Sequence, residues 1–66
     1  MNIIDIIIKK KNKEELTEAE IKYTVDNFVK GEIKDYQMSA LLMAIAINGM
    51  TDNEIINLTK YMMLSG

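Results

Sequence analysis

Residues Asp35 to Asn48 read DYQMSALLMAIAIN. From Met38 to Ile47 nine of ten residues are apolar, with Ser39 the exception. Neither glycine nor proline interrupts the run, and Leu, Met and Ala favour helix. The stretch therefore reads as a helix of about four turns. A helix in a small domain normally has one apolar face and one wet face; this one is apolar nearly all round. Neighbouring helices cover only part of it. Met38, Leu41, Leu42 and Ile45 are accordingly the candidates for packing against a further polypeptide surface, since a large open apolar patch is normally a contact site.

Two echoing stretches flank this helix, LTEAEI at Leu16–Ile21 and MTDNEI at Met50–Ile55. Each has Thr followed three residues later by Glu. That is the capping box, in which the Thr hydroxyl accepts from the N3 amide and the Glu reaches back to the N-cap amide. Thr17 with Glu20, and Thr51 with Glu54, are thus expected to cap two helices. Leu16 with Ile21 and Met50 with Ile55 are placed as hydrophobic staples. Gly31, Gly49 and Gly66 follow apolar-periodic segments, where a left-handed residue ends a helix.

Between these signals Ile21, Val25, Phe28 and Val29 recur on one helical face. Further on, Ile55, Leu58 and Met62 line one side of the last helix, with Ile56 and Met63 beside it. The first segment, IIDIII, is rich in β-branched residues that also suit a strand. Helical spacing of Ile3, Ile4, Ile7 and Ile8 and a weak cap at Asn2 and Asp5 favour helix. Lys9, Lys10, Lys11 and Lys13 then sit at its C-terminus, where cations are favoured, and read as a solvated helix end. The expected fold is all-α, a compact bundle of four short helices at about 2–11, 17–30, 34–48 and 51–65. Short connections imply that successive helices pack together.

A chain of 66 residues makes one domain at most, and domains this small usually need a disulfide, a metal or a partner. With no Cys and no His, disulfides and the usual zinc sets are excluded. A partner surface remains, unless packing alone suffices. The net charge of −2 argues against a nucleic-acid module. The N-terminus places its apolar run before its basic run, the reverse of a signal peptide, and the run at 38–47 is half a membrane span. No membrane role is expected, and the chain reads as soluble and cytoplasmic.

Catalytic groupings do not assemble. Without His or Cys there is no Ser-His-Asp or Cys-His set, and three isolated glycines make no phosphate loop. Glu14, Glu15, Glu18 and Glu20 suit a solvated loop and a helix N-terminus. Asp52, Asn53 and Glu54 lack the alternating spacing of a calcium loop. Four lysines in five positions, with no aromatic interleaved, are weak grounds for nucleic acid or membrane binding. The six methionines fit core filling better than an adaptable groove. Ser39 lacks the preceding acid of a carrier attachment site and is assigned to close helix packing.

The segments DIIIKK, ELTEAEI, KGEIKDYQMSALLMAI, NGMTDNEIINLT and the closing SG resemble, across the whole chain, the N-terminal helical domain of pyrimidine-nucleoside and thymidine phosphorylases. Lys34 departs from the family, which often has Pro there; Pro at N1 helps a helix start but is not required. The resemblance implies a larger two-domain enzyme, with this domain joined to an α/β catalytic domain across the active-site cleft. It implies phosphorolysis of a pyrimidine nucleoside to free base and pentose 1-phosphate, with phosphate as co-substrate and no cofactor in this chain. It also implies a homodimer formed largely through the helical domains. The family's phosphate and base-contacting motifs lie beyond residue 66, so no catalytic residue is assigned, and the 66 residues alone are expected to be inactive and marginally stable or self-associated. The alternatives are the related helical domain of anthranilate phosphoribosyltransferase and a stand-alone interaction module.

Overall fold

The computed structural model describes residues 1–65. Helix α1 spans Ile3–Lys11, α2 Glu18–Val29, α3 Asp35–Asn48 and α4 Asp52–Ser65. Each limit lies within one residue of the sequence reading, and the differences are cap residues outside the helical backbone. The stop assigned to Gly66 falls outside the described residues.

The helix ends follow from local chemistry. Asn2 Oδ1 accepts from the Asp5 amide at 2.9 Å, so Asn2 is a working N-cap. Both capping boxes form: Thr17 Oγ1 accepts from the Glu20 amide and Glu20 Oε1 from the Thr17 amide, and Thr51 and Glu54 repeat the exchange. At α3 only the return half exists. Gln37 Oε1 accepts from the Lys34 amide at 3.0 Å, whereas a lysine side chain has no acceptor to give. Helix α2 closes in a Schellman turn: the Gly31 amide donates to the Phe28 carbonyl and the Glu32 amide to the Asn27 carbonyl, with Gly31 at φ 74°. Helix α1 closes the same way, but the left-handed position is Lys13, at φ 63°. The Lys13 and Glu14 amides donate to the Lys10 and Lys9 carbonyls.

Helix α1 packs along α3, and α2 along α4. The radius of gyration is 10.8 Å, the value a compact chain of this length should have. Ile6 is fully enclosed at the centre, with Ile3, Ile7, Ile21, Val25 and Leu41 around it. Leu16 and Ile33, from the two longer connections, complete the cluster. Leu16 and Ile21 share this core as a staple would; Met50 is half-buried and Ile55 exposed, so the second box has no equally buried pair.

Several expected faces are corrected. Ile4 and Ile8 are exposed, and α1 instead buries Ile3, Ile6, Ile7 and Lys10. The inward stripe is i, i+3, i+4, i+7, with Lys10 as its last member. Phe28 and Val29 are exposed while Thr24 is buried; the Thr24 hydroxyl is satisfied by the Glu20 carbonyl at 2.9 Å. In α4 the buried residue is Glu54, while Leu58 and Tyr61 are half-buried against the core and Ile55 and Met62 are exposed. Ser39 is exposed, not enclosed between helices as a close-packing role would have it. The close pairs, α1 with α3 and α2 with α4, are not successive helices, contrary to what the short connections implied.

Candidate functional site

The chemistry-bearing residues meet at one end of the bundle, where α1 ends and α4 begins. Lys10 lies in the last turn of α1, and its Nζ lies 2.6 Å from Glu54 Oε1. Both side chains are enclosed, at 4% and 0% exposure. Glu54 Oε1 also accepts from the Thr51 amide, and Oε2 accepts from the Leu16 amide, both at 2.8 Å. The carboxylate thus serves as the capping-box acid, a partner for Lys10 and an anchor for the α1–α2 connection. Burial alone pushes the Glu54 carboxyl up; Lys10 and the Leu16 and Thr51 amides outweigh it and hold the carboxyl below its usual range. Every buried side-chain nitrogen or oxygen among the described residues has a hydrogen-bond partner, as buried polar groups require.

Glu20, the matching acid of the α2 box, accepts from Lys9 Nζ at 2.8 Å. It is held low in the same way, with burial opposing and Lys9 and Thr17 prevailing. Glu18 accepts from Lys60 Nζ at 3.0 Å and from the Tyr61 hydroxyl at 2.8 Å, tying α2 to α4. Glu15 accepts from the Thr51 hydroxyl. Glu15, Glu18 and Glu20 therefore have structural partners, and among the described residues no group of His, Cys, Asp or Glu side chains could hold a metal ion.

Two open apolar surfaces lie on either side of α3. A groove of about 350 Å³ runs between α2, α3 and α4, with Phe28, Val29, Leu42 and Met62 at its exposed margins. All four residues singled out on α3 line it, but differently. Leu41 is 3% exposed and belongs to the core, Met38 and Ile45 are half-buried, and Leu42 is 57% exposed. The second surface lies between α1 and α3, a hollow of about 450 Å³ lined by Lys11, Ala40, Met43, Ala44, Ile47 and Asn48. Ile4 and Ile8 share the α1 face of Lys11 by helical spacing. The sequence marked Met43 and Ile47 only as part of the apolar run of α3, and Lys11 only as part of the basic run at the end of α1. Lys10 was read as solvated, although its spacing from Ile3, Ile6 and Ile7 signals a buried position. No helix is long and apolar enough to cross a membrane.

Residues 4–66 match the family model described as glycosyl transferase family, helical bundle domain. The whole chain is 53% identical to thymidine phosphorylase of Mycoplasmoides pirum, where it spans 16% of that protein. It is 50% identical to pyrimidine-nucleoside phosphorylase of Bacillus subtilis (strain 168) and 46% identical to that of Geobacillus stearothermophilus, spanning 15% of each. The chain belongs to the glycosyl transferase family, as its helical bundle domain.

Proposed function

We propose that these 66 residues are the helical domain of a pyrimidine-nucleoside phosphorylase, and that they form the subunit contact and one wall of the active-site cleft. The observation that carries this reading is the alignment of the entire chain, at 46–53% identity, with relatives named as thymidine and pyrimidine-nucleoside phosphorylases. The parent reaction is attack of phosphate on a pyrimidine nucleoside, giving free base and pentose 1-phosphate. The reacting groups belong to an α/β domain elsewhere in the parent chain. Cytoplasmic location is part of the same proposal.

The two open surfaces divide the packing work. The groove bordered by Phe28, Leu42 and Met62 is assigned to the remainder of the parent chain. Ser65 lines that groove, so a chain continuing as in the longer relatives leaves the bundle beside it. The hollow between α1 and α3 is assigned to a second copy, making the homodimer. Small Ala40 and Ala44 in its floor let another helix approach closely, and Met43 and Ile47 supply area around them.

The test is to assay the product of the uninterrupted reading frame that contains these residues, with thymidine, uridine, and anthranilate plus phosphoribosyl pyrophosphate. Phosphorolysis of a pyrimidine nucleoside supports the reading. Turnover of anthranilate moves the chain to the phosphoribosyltransferase branch. A frame that stops after Gly66 makes it an interaction module. A continuation bearing a glycine-rich loop with Lys and Ser is the expected sequence.

A further inference from the structure

The last turn of α1 presents two consecutive lysines to two different helices. Lys9 takes Glu20, the N3 acid of the α2 capping box, and Lys10 takes Glu54, the N3 acid of the α4 box. Adjacent residues on a helix point about 100° apart, so one short segment reaches both. The bundle is built as two helix pairs, α1 on α3 and α2 on α4. Lys9–Glu20 and Lys10–Glu54 join a helix of the first pair to one of the second. The echo of LTEAEI and MTDNEI thus has a structural counterpart: each box closes its own helix and receives a cation from α1.

We propose that Lys9 and Lys10 form a double clip fixing the orientation of the α1·α3 pair on the α2·α4 pair, with Lys10–Glu54 as the specifying half. The apolar core holds the pairs together but does not dictate their angle by itself. It consists largely of Ile, Leu and Val, whose burial is non-directional and which tolerate alternative packings of similar volume at modest cost. Glu54 does not slide: its two oxygens hold three donors, from Lys10, Leu16 and Thr51, at 2.6–2.8 Å. Any rotation of one pair on the other strands an enclosed charge. A buried pair of this kind adds little net stability over an apolar pair of similar size, and its best attested use is to specify one arrangement. Lys9–Glu20 is partly exposed, at 28% and 15%, and water replaces its partners more readily, so it steadies the angle without specifying it. The inference concerns the bundle's internal geometry and holds whether or not either open surface is docked.

The chain has no cysteine, so introduced thiols are unique labelling sites. Spin labels at Ser39→Cys on α3 and Thr59→Cys on α4, both exposed positions, report the angle between the pairs as a distance distribution by pulsed electron resonance in the 66-residue protein, diluted with unlabelled protein. One narrow distance is expected for the otherwise unchanged chain. Lys10→Met with Glu54→Leu should keep the helix signal and split or broaden the distance. Lys9→Met with Glu20→Leu should leave it narrow. A single unshifted distance in the first double variant overturns the proposal, because the core alone then sets the angle. Should that variant lose its helices, amide exchange of the unchanged chain decides. Leu16 and Thr51 amides exchanging as slowly as the core amides of α2 support the clip, and exchange as fast as at exposed Asn53 overturns it.

Discussion

Asn48, the last residue of α3, donates through Nδ2 to the carbonyl oxygens of both Lys10 and Lys11, at 3.0 and 3.2 Å. Two of the carbonyls at the end of α1 therefore receive a donor from a residue far along the chain. Helix C-termini leave such carbonyls short of intrahelical partners; Lys10 shares its carbonyl with the Lys13 amide, and Asn48 is half-buried, so water replaces it poorly. Asn48→Ala is expected to destabilise the bundle by about 1–2 kcal/mol, read as a lower urea midpoint. Asn48→Asp should do no better, because an ionised carboxylate accepts but does not donate and sits at the negative end of the helix dipole. A midpoint for Asn48→Asp equal to that of the unchanged chain would remove Asn48 from this role.

Glu54 makes the bundle sensitive to acid. Its folded-state carboxyl lies below the ordinary value of 4.5, so the unfolded chain binds the proton more readily. The resulting stability is fully present above about pH 5 and is lost as pH falls through the lower folded value. Glu20 adds in the same direction. Urea midpoints between pH 7 and pH 3 should fall, and Glu54→Gln should be weaker at pH 7 but fall less steeply. Equal slopes in the two proteins would mean that Glu54 is not the responsible group.

Removing only one partner of the enclosed pair is far more damaging than acid. Lys10→Met leaves a buried carboxylate without its cation, at a cost of about 3–5 kcal/mol. A 66-residue domain holds only about 3–10 kcal/mol in all. Circular dichroism of Lys10→Met at 25 °C should therefore show a large loss of helix, whereas Lys11→Met, at an exposed neighbour, should show almost none. Matching spectra for the two variants would count against an enclosed pair.

Lys13 points the other way, to an easy gain. It occupies the left-handed position that ends α1, at φ 63°, which costs a residue with a side chain about 1–2 kcal/mol. Its side chain is exposed, so Lys13→Gly gives up little packing. The flexibility glycine adds to the unfolded chain offsets about 0.4–1 kcal/mol. A modest rise in the guanidinium midpoint is expected; a fall would show that the lysine side chain contributes more than its backbone strain costs.

These cases show what was legible in the sequence. Helix limits were readable because caps are local: Thr17 with Glu20 and Thr51 with Glu54 are three residues apart and needed no tertiary knowledge. The end of α1 offered no glycine, so Lys13 at a left-handed position gave no sign of itself. Faces were less readable, because periodicity ranks residues by polarity. Ile4 and Ile8 outrank Lys10 on that scale, yet Lys10 is inside because Glu54 arrives from the far end of the chain. The candidates on α3 all line one groove but could not be told apart as individuals. A helix apolar on all sides carries no stripe from which to tell Leu41, in the core, from Leu42 at a groove margin.

That division of α3 sets the most informative surface experiment. Leu41→Glu buries a charge in the core, so any loss of association would be mixed with unfolding. Met43 and Leu42 are both exposed, at 62% and 57%, and lie on different open surfaces. If the hollow between α1 and α3 receives a second copy, the isolated chain should sediment as a dimer that dissociates on dilution. Met43→Glu should then shift the mass to that of the monomer, because a lone charge buried in an apolar contact is strongly disfavoured. Leu42→Glu should leave the dimer intact, since its groove is assigned to the rest of the parent chain. Sedimentation equilibrium over a range of concentrations, with helicity followed in parallel, reads all three proteins. Dissociation by Leu42→Glu and not by Met43→Glu would exchange the two surfaces, placing the second copy in the α2–α3–α4 groove.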